Sequence, residues 1–142
     1  MLDGKLLQDV GPYYAPCRDQ SSDEGLCQER IDNTTVAYYR DDVPGAMMMP
    51  MFECDIGDAK CCGPTVPIPS TDTTCNQGNV GSYAVNVSSA EDVKIAVSWA
   101  AAHNVALSVK STGHDFQGRS MNKDTLNIWI HNLKGVTYME DW

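Results

Sequence analysis

A histidine between two glycines is the feature of this sequence whose residue types and spacing favour chemistry. The run from Lys110 to Ser120 reads Lys-Ser-Thr-Gly-His-Asp-Phe-Gln-Gly-Arg-Ser, with His114 between Gly113 and Gly118. Glycine reaches backbone conformations that other residues avoid, and it lets the backbone approach a ligand closely. Hydroxyls, backbone N–H groups and an imidazole in one loop suit an anion or a cofactor. By residue types alone, the run also fits an ordinary loop that happens to contain a histidine.

The loop follows a predicted strand. Val105, Leu107 and Val109 alternate with small or polar residues, which is typical of a strand with one strongly apolar face. The chain turns polar after Lys110, so the loop lies at the carboxyl end of that strand. Open parallel sheets bind ligands outside the carboxyl ends of their strands. This position favours the loop as a binding site.

Further elements predict a parallel sheet around that strand. Alternating apolar residues indicate strands at 83–87 and 125–131. The first two strands and the helix between them form a right-handed βαβ unit with parallel strands. We therefore expect an α+β fold in residues 81–142. Residues 1–80 contain every proline and every cysteine and show little periodicity, so an irregular, cysteine-rich arm is expected there.

The helix between the first two strands has a predicted start and end. Ser88 and Glu91 are spaced as a capping box, in which the serine side chain accepts a backbone N–H and the glutamate bonds back. We expect the helix to end near His103, with Asn104 as its C-cap. Four residues form its apolar face: Val93, Ala96, Val97 and Ala100.

The charge composition excludes two classes of partner. The 142 residues include ten lysines and arginines against nineteen acids, for a formal net charge of −9. Nucleic acids and anionic lipids need clustered basic residues, which this sequence lacks. Polar residues interrupt the apolar stretch at 93–109, whereas a membrane-spanning helix needs about 20 mostly apolar ones. We therefore expect no nucleic-acid partner and no membrane association.

The cysteines favour an oxidising compartment. Six of them occur in the first 75 residues: Cys17, Cys27, Cys54, Cys61, Cys62 and Cys75. An even number in a loop-rich segment is typical of disulfides. Zinc sites favour close cysteine pairs, and no CxxC spacing occurs, so we predict no metal site. We expect a local Cys17–Cys27 pair, and the pairing of the other four stays open.

Two further features bear on secretion. N-glycosylation sequons at Asn33 and Asn86 fit an extracellular protein, although Asn86 falls in a predicted strand. The first ten residues lack the apolar core of a signal peptide. A chain that begins partway through a longer precursor would reconcile these observations, and we expect that precursor to be secreted.

Several segments, in this order, carry a family resemblance: Tyr83-Ala-Val-Asn-Val, the helix with Ser-Ala-Glu-Asp-Val, residues 109–120 and residues 126–133. Together they resemble the start of the PCMH-type FAD-binding domain of FAD-linked oxidases in the vanillyl-alcohol oxidase/berberine bridge enzyme superfamily. The fungal isoamyl alcohol oxidase-like branch looks most similar. The resemblance implies an incomplete N-terminal βαβ subdomain of that domain, preceded by the cysteine-rich arm.

The resemblance also implies roles for the loop. His114 would be the covalent attachment point of FAD. Other loop residues would line its pyrophosphate or continue the turn: Ser111, Thr112, Gly113, Asp115, Phe116, Gly118 and Ser120. Thr112 departs from the family pattern because many relatives have glycine there. Asp115 places an acid near a diphosphate, so we expect it to face a helix N-terminus, a hydroxyl or solvent.

The resemblance implies a secreted FAD-dependent oxidoreductase that oxidises an alcohol, a sugar or a related small molecule, with O₂ as acceptor. In such enzymes the general base and the substrate pocket follow the region matched here, so we name no catalytic acid or base. His103 and His131 are interpreted as structural. The alternative is a truncated, non-catalytic, disulfide-bonded glycoprotein that acts only as a binding module.

Overall fold

The computed structural model describes residues 4–8, 10–17, 23–53 and 78–141. Strands and α-helices in these residues are, in chain order, β1 (Leu6–Gln8), α1 (Glu24–Asp32), α2 (Ala37–Asp41), β2 (Tyr83–Asn86), α3 (Ala90–Ala102), β3 (Leu107–Lys110) and β4 (Leu126–Trp129). Single 3₁₀ turns lie at Ala15–Cys17 and Pro50–Phe52. The described part of the first 80 residues thus contributes one strand and two α-helices.

One four-stranded sheet organises the described residues, in the order β1-β2-β4-β3. Strand β1 runs antiparallel to β2, while β2 and β3 both run parallel to β4. The expected parallel strands are therefore present, with β4 inserted between the two that α3 connects. Every residue of β4 is buried. A central strand covered on both faces explains its nearly continuous apolar sequence.

Helix α3 begins one residue later than the sequence indicates. Ser89 is the N-cap, and its hydroxyl accepts the N–H of Asp92 at 3.2 Å while the Asp92 carboxylate accepts the N–H of Ser89 at 3.0 Å. The predicted box of Ser88 and Glu91 is wrong because extended backbone continues through Ser89, whose φ is −144°. Lys5 and the Ser88 N–H also bind Asp92, which holds the pKa of that carboxyl well below its usual range.

The C-terminal end of α3 also differs slightly from the prediction. His103 is the C-cap and stacks on Trp99, with ring centroids 4.3 Å apart. Asn104 follows in the left-handed conformation, with φ +54°. That conformation is typical of the residue just beyond a helix C-cap. The predicted C-cap is therefore wrong by one position, because His103 is the C-cap and Asn104 lies one residue beyond it.

Strand β3 exposes its apolar face, contrary to expectation. Leu107 and Val109 are 37% and 53% exposed, whereas Ser108 and Lys110 are buried. Leu107 and Val109 are in register with Leu126 and Ile128 of β4. The core that contains Ala96 of α3 includes those two β4 residues but neither β3 residue. The reason is position: β3 is the edge strand, and α3 covers the strands beside it.

Two apolar cores lie on opposite faces of the sheet. One packs α3 against the sheet through Val85, Val87, Ala96, Leu126 and Ile128. The other joins the N-terminal part of the chain to the second face through Val10, Met47, Val80, Ala84 and Met121. Side chains from both parts of the chain therefore share a core. The proposed boundary near residue 80 stays a prediction.

A disulfide joins Cys17 to Cys27, with a Cα–Cα distance of 4.8 Å. The expected local pair is confirmed. The remaining four cysteines, Cys54, Cys61, Cys62 and Cys75, lie outside the described residues. Within the described ranges, no helix is long and apolar enough to cross a membrane. The same ranges contain no cluster of three or more metal-ligating side chains.

Candidate functional site

The candidate site lies at the carboxyl edge of the parallel strands. Asn86, Trp129 and Lys110 end β2, β4 and β3 and stand side by side in register. The glycine–histidine loop, residues 111–120, leaves from β3, and His131 follows β4. Parallel pairing therefore brings the two histidines to the same edge of the sheet. The sequence alone does not show that His114 and His131 are close, because they are 17 positions apart.

Gly113 fixes the loop onto an N-terminal segment. Its φ is +87°, and its carbonyl accepts the N–H of Met48 at 3.0 Å. A Cβ at this position would lie 3.1 Å from the Met47 Cα, 3.2 Å from the Lys110 Cε and 3.3 Å from the Ala46 carbonyl oxygen. Glycine is needed here both for the backbone conformation and for the close approach. The loop is thus docked on residues 46–48.

Two consecutive acids at the end of α2 hold the two histidines. Nε2 of His114 lies 2.7 Å from Oδ1 of Asp41, and Nε2 of His131 lies 2.8 Å from Oδ1 of Asp42. An ionised carboxylate only accepts hydrogen bonds, so each imidazole donates its Nε2–H. The His114 side chain is 42% exposed and that of Asp41 only 13%. The ring is therefore anchored on one edge and accessible on the other.

His131 has a more structural environment than His114. Its side chain is 14% exposed and stacks on Trp129, with ring centroids 5.6 Å apart. Asn132 next to it donates to the Asn86 side chain at 2.8 Å, which ties the ends of β4 and β2 together. These contacts agree with the structural interpretation of His131. Nothing in the sequence pointed to Asp41 and Asp42, because an acidic pair at a helix end is usually a solvated surface feature.

Lys110 is fully buried directly beneath the loop. Its Nζ donates to the carbonyl of Val43 at 2.6 Å and lies 5.6 Å from the centroid of the Trp129 ring. Burial lowers the pKa of Lys110 to about 7, because an ammonium loses its hydration there. A buried lysine was not expected at this position. It links the end of β3 to the turn that follows Asp41 and Asp42.

A second buried charge shapes the same N-terminal segment. Glu53 pairs with Arg40 and accepts the Met47 N–H at 2.6 Å. The Arg40 Nε donates to the Met47 carbonyl at 2.8 Å, and its guanidinium stacks on Tyr13 with the Cζ 3.9 Å from the ring centroid. Burial raises the pKa of Glu53 to about 7, although Arg40 opposes the shift. Both charges therefore hold the residues on which Gly113 docks.

Asp115, expected to face a helix N-terminus, a hydroxyl or solvent, is 24% exposed and pairs with a basic side chain of its own loop. It forms a two-pronged pair with Arg119, with oxygens 2.9 Å from Nε and 2.7 Å from Nη2. It also accepts the Arg119 N–H at 2.7 Å. The tight turn brings residues four apart together, so the guanidinium reaches the carboxylate. This pairing holds the pKa of Asp115 well below its usual range.

The other predicted loop residues present mixed exposure. Ser111 is exposed, Thr112 is half-buried, and the Phe116 ring is 72% exposed. Gly118 has φ +70° and donates its N–H to the Asp115 carbonyl at 2.9 Å, which closes the turn. The Ser120 carbonyl accepts the side-chain amide of buried Asn127 at 3.0 Å. The loop therefore leaves its hydroxyl and aromatic side chains at 111 and 116 open to a ligand.

The two sequon asparagines both make side-chain hydrogen bonds. The Asn33 amide donates to the Glu29 carbonyl at 2.8 Å as part of the α1 C-cap. Asn86 accepts from Asn132 at the carboxyl end of β2. Glycosylation at either position stays a prediction.

Similar proteins are flavoproteins. The chain is 42% identical over 147 residues to the VAO-type flavoprotein oxidase VAO615 of Thermothelomyces thermophilus, covering 99% of this chain and 24% of that protein. It is 30% identical over 141 residues to the flavin-dependent oxygenase ucdF of Aspergillus ustus, covering 99% of this chain and 25% of the relative. No family model matches the sequence.

Solved structures give the same result. The crystal structure of the VAO-type flavoprotein MtVAO615 from Myceliophthora thermophila C1 matches 99% of this chain and 25% of its own, with a TM-score of 0.78 and 30% identity. MtVAO713 from the same fungus matches 94% of this chain and 22% of its own, with a TM-score of 0.75 and 28% identity. The expected fold is therefore confirmed.

The chain is similar, in its sheet and along nearly its whole sequence, to one part of the VAO-type flavoproteins. It spans about a quarter of the length of the curated relatives that it matches.

Proposed function

We propose that this chain supplies the FAD-binding portion of a secreted FAD-dependent oxidoreductase, with His114 as the covalent attachment point. The observation that carries the proposal is the position of His114, anchored by Asp41 and accessible at the carboxyl edge of a parallel sheet, in a chain similar to part of VAO-type flavoproteins. FAD held at this edge would supply a hydride acceptor for the substrate and an electron donor for O₂. The substrate class is an alcohol, a sugar or a related small molecule.

The charge distribution at the edge is compatible with a diphosphate. The acids nearest the loop are each paired, Asp41 with His114, Asp42 with His131 and Asp115 with Arg119. Oriented N–H groups and hydroxyls can bind phosphate without basic side chains. The proposed pyrophosphate-lining residues are Ser111, Thr112, Gly113, Asp115, Phe116, Gly118 and Ser120. Their exposed members, Ser111 and Phe116, are free to turn toward a ligand.

Asp41 has a positioning role in this proposal. By accepting the Nε2–H of His114, it selects the tautomer in which Nδ1 carries the lone pair. Among the described residues, none hydrogen-bonds that Nδ1. Nδ1 is therefore the nucleophilic atom of the ring. Asp41→Asn should slow attachment of the flavin without preventing the protein from folding.

The test is intact mass after denaturation, with absorbance in the visible range. The protein should carry one covalent FAD increment, which His114→Ala removes. His131→Ala is a matched control, because His131 is also a strand-end histidine paired with an acid. It should retain the increment. A covalent flavin that persists in His114→Ala would refute the attachment point, while a colourless protein of apo mass in every variant would favour a non-catalytic binding module.

A further inference from the structure

A cavity of about 480 Å³ lies at the amino edge of the parallel strands, where Tyr83 begins β2 and Leu126 begins β4. The glycine–histidine loop lies at the opposite, carboxyl edge, and none of the proposed flavin-binding residues lines this amino-edge cavity. Most of the lining is apolar, including Leu6, Val105 and Leu126, which belong to the core between α3 and the sheet or pack against it. The volume falls within the range of small-molecule sites, which run from about 300 to 1,000 Å³.

Two aromatic side chains line the amino-edge cavity. Tyr83 and Trp99 are 51% and 38% exposed, so each ring has surface left to contact a ligand. The His103 ring stacks on one face of the Trp99 indole and leaves the other face free of that contact. The faces of aromatic rings carry negative partial charge and attract cations. The two rings therefore favour a cationic ligand over an anionic one.

Among the described residues that line the cavity, Asp124 is the one with a charged side chain. Its carboxylate is exposed and has no hydrogen-bond or ion-pair partner in the described part of the chain, the adjacent Lys123 included. The three acids beside the glycine–histidine loop, in contrast, each pair with a basic or imidazole side chain. The φ of Asp124 is +61°, a conformation that suits Asn and Gly as well as Asp. The turn therefore explains a residue of this kind, but not its negative charge.

We propose that the amino-edge cavity binds a small organic amine in its cationic form, a ligand unrelated to the flavin chemistry proposed above. In the complex, Asp124 pairs with the ammonium group, and the rings of Tyr83 and Trp99 contact it through their faces. The apolar lining packs on the hydrocarbon body of the amine. A cavity whose charge has one sign and whose walls are apolar focuses its potential on the bound ligand. The formal net charge of −9 attracts the same class of ligand.

The experiment follows the Trp99 indole N–H by ¹H–¹⁵N NMR in the purified chain, with the signal assigned through Trp99→Phe. Benzylamine, which is cationic at neutral pH, is the probe, and benzyl alcohol is the matched neutral control. Asp124→Asn removes the charge, keeps the shape and suits the positive φ, and Asp124→Gly is a second variant at that position. Glu24→Gln controls for net charge, because Glu24 is an exposed acid of α1 outside the cavity lining. Circular dichroism and the thermal midpoint establish that each variant is folded.

We expect a saturable benzylamine shift of the Trp99 signal and an unchanged signal from Trp129, which is buried at the carboxyl end of β4. Benzyl alcohol should bind at least about fivefold more weakly, because it lacks the cation–π and ion-pair contributions. Both Asp124 variants should weaken benzylamine binding by about two- to fivefold, the range of an exposed ion pair, whereas Glu24→Gln should not. Equal affinities for the two probes, equal effects of Asp124→Asn and Glu24→Gln, or no saturable shift would each overturn the proposal. Loss of covalent flavin in His114→Ala concerns the opposite edge of the sheet and leaves this result unaffected.

Discussion

Replacing Gly113 by alanine tests how the loop is positioned. The left-handed φ of +87° alone costs an L-residue roughly 1–2 kcal/mol. The lower flexibility of alanine in the unfolded chain offsets part of this cost, about 0.4–1 kcal/mol. The new Cβ would also lie within 3.1 Å of the Met47 Cα and 3.3 Å of the Ala46 carbonyl, both backbone atoms that cannot easily move. Overpacking of this kind costs about 1–3 kcal/mol more.

Two other glycines serve as controls for the backbone term. Gly118 has φ +70° in the same loop, and its Cβ would meet Phe52 at an ordinary 3.4 Å. Gly4 has φ +76° and nothing within 4 Å. Alanine at either position therefore reports the strain of positive φ with little or no overlap. We expect a loss of about 1 kcal/mol or less for these two variants and about 2–4 kcal/mol for Gly113→Ala.

Urea denaturation followed by tryptophan fluorescence gives the free energies of unfolding for this series. Covalent flavin content, measured on the same preparations, should fall most in Gly113→Ala, since His114 is the next residue. If Gly113→Ala were no less stable than Gly118→Ala, the close packing of the loop on residues 46–48 would be refuted. If the Gly113→Ala protein were stable and carried full flavin content, this packing would not be required for flavin attachment.

Four further predictions concern buried charge and the disulfide. The pKa of Lys110 is lowered from 10.5 to about 7 in the folded chain. The free energy of unfolding should therefore rise from pH 7 toward pH 10.5, by at most about 1.4 kcal/mol per pH unit. Urea titrations of Lys110→Met should lack this rise. The pKa of Glu53 is raised from 4.5 to about 7, so stability should fall as pH rises through that window, and Glu53→Gln should flatten the profile. Arg40→Met leaves Glu53 buried and unpaired, and should cost about 3–5 kcal/mol in urea titrations at pH 8, whereas a loss under 1 kcal/mol would contradict the pairing. Replacing both Cys17 and Cys27 by serine should lower the free energy of unfolding by about 2–3 kcal/mol in the same assay. A reducing agent should then cause no further loss from this pair.

Local sequence rules predicted most of the elements after residue 80. Alternation located β2, β3 and β4 within one or two residues, and polar residues before an apolar run located the start of α3. The observed capping pair lies one residue after the predicted pair. Ser88 and Ser89 are chemically equivalent, and the extended backbone that follows β2 decides which of them is the N-cap. The local sequence pattern could not predict the exposure of Leu107 and Val109, because this exposure depends on which strand forms the edge of the sheet.

The site was predictable only where its residues are contiguous. Gly113, His114 and Gly118 stand out in one loop, and their strand-end position follows from the predicted topology. Asp41 and Asp42 are 73 residues from His114 and 89 from His131, respectively, and only long-range contacts between the end of α2 and the residues that follow β3 and β4 bring them there. Lys110 looked like the polar end of a strand, yet its buried ammonium depends on the Val43 carbonyl, another distant contact. The Asp115–Arg119 pair was the exception, because a spacing of four residues in a turn could have indicated it.

The arrangement of charges explains how an acidic chain can present an edge suited to a dianionic cofactor. Each acid beside the loop already has a charged or polar partner, either on another element or, for Asp115, in the loop itself. The negative potential of these acids at the strand ends is therefore reduced. Two buried ionisable side chains, Lys110 and Glu53, hydrogen-bond backbone groups of residues 43–47. They thus fix the position of the segment against which the loop packs. A loop held in this way keeps its N–H groups and His114 in one orientation before any ligand arrives. Preorganised dipoles of that kind bind charge more strongly than flexible ones, because they need no reorganisation on binding. The acids of this region therefore orient the site through their partners, and His114 is the ring that they leave accessible.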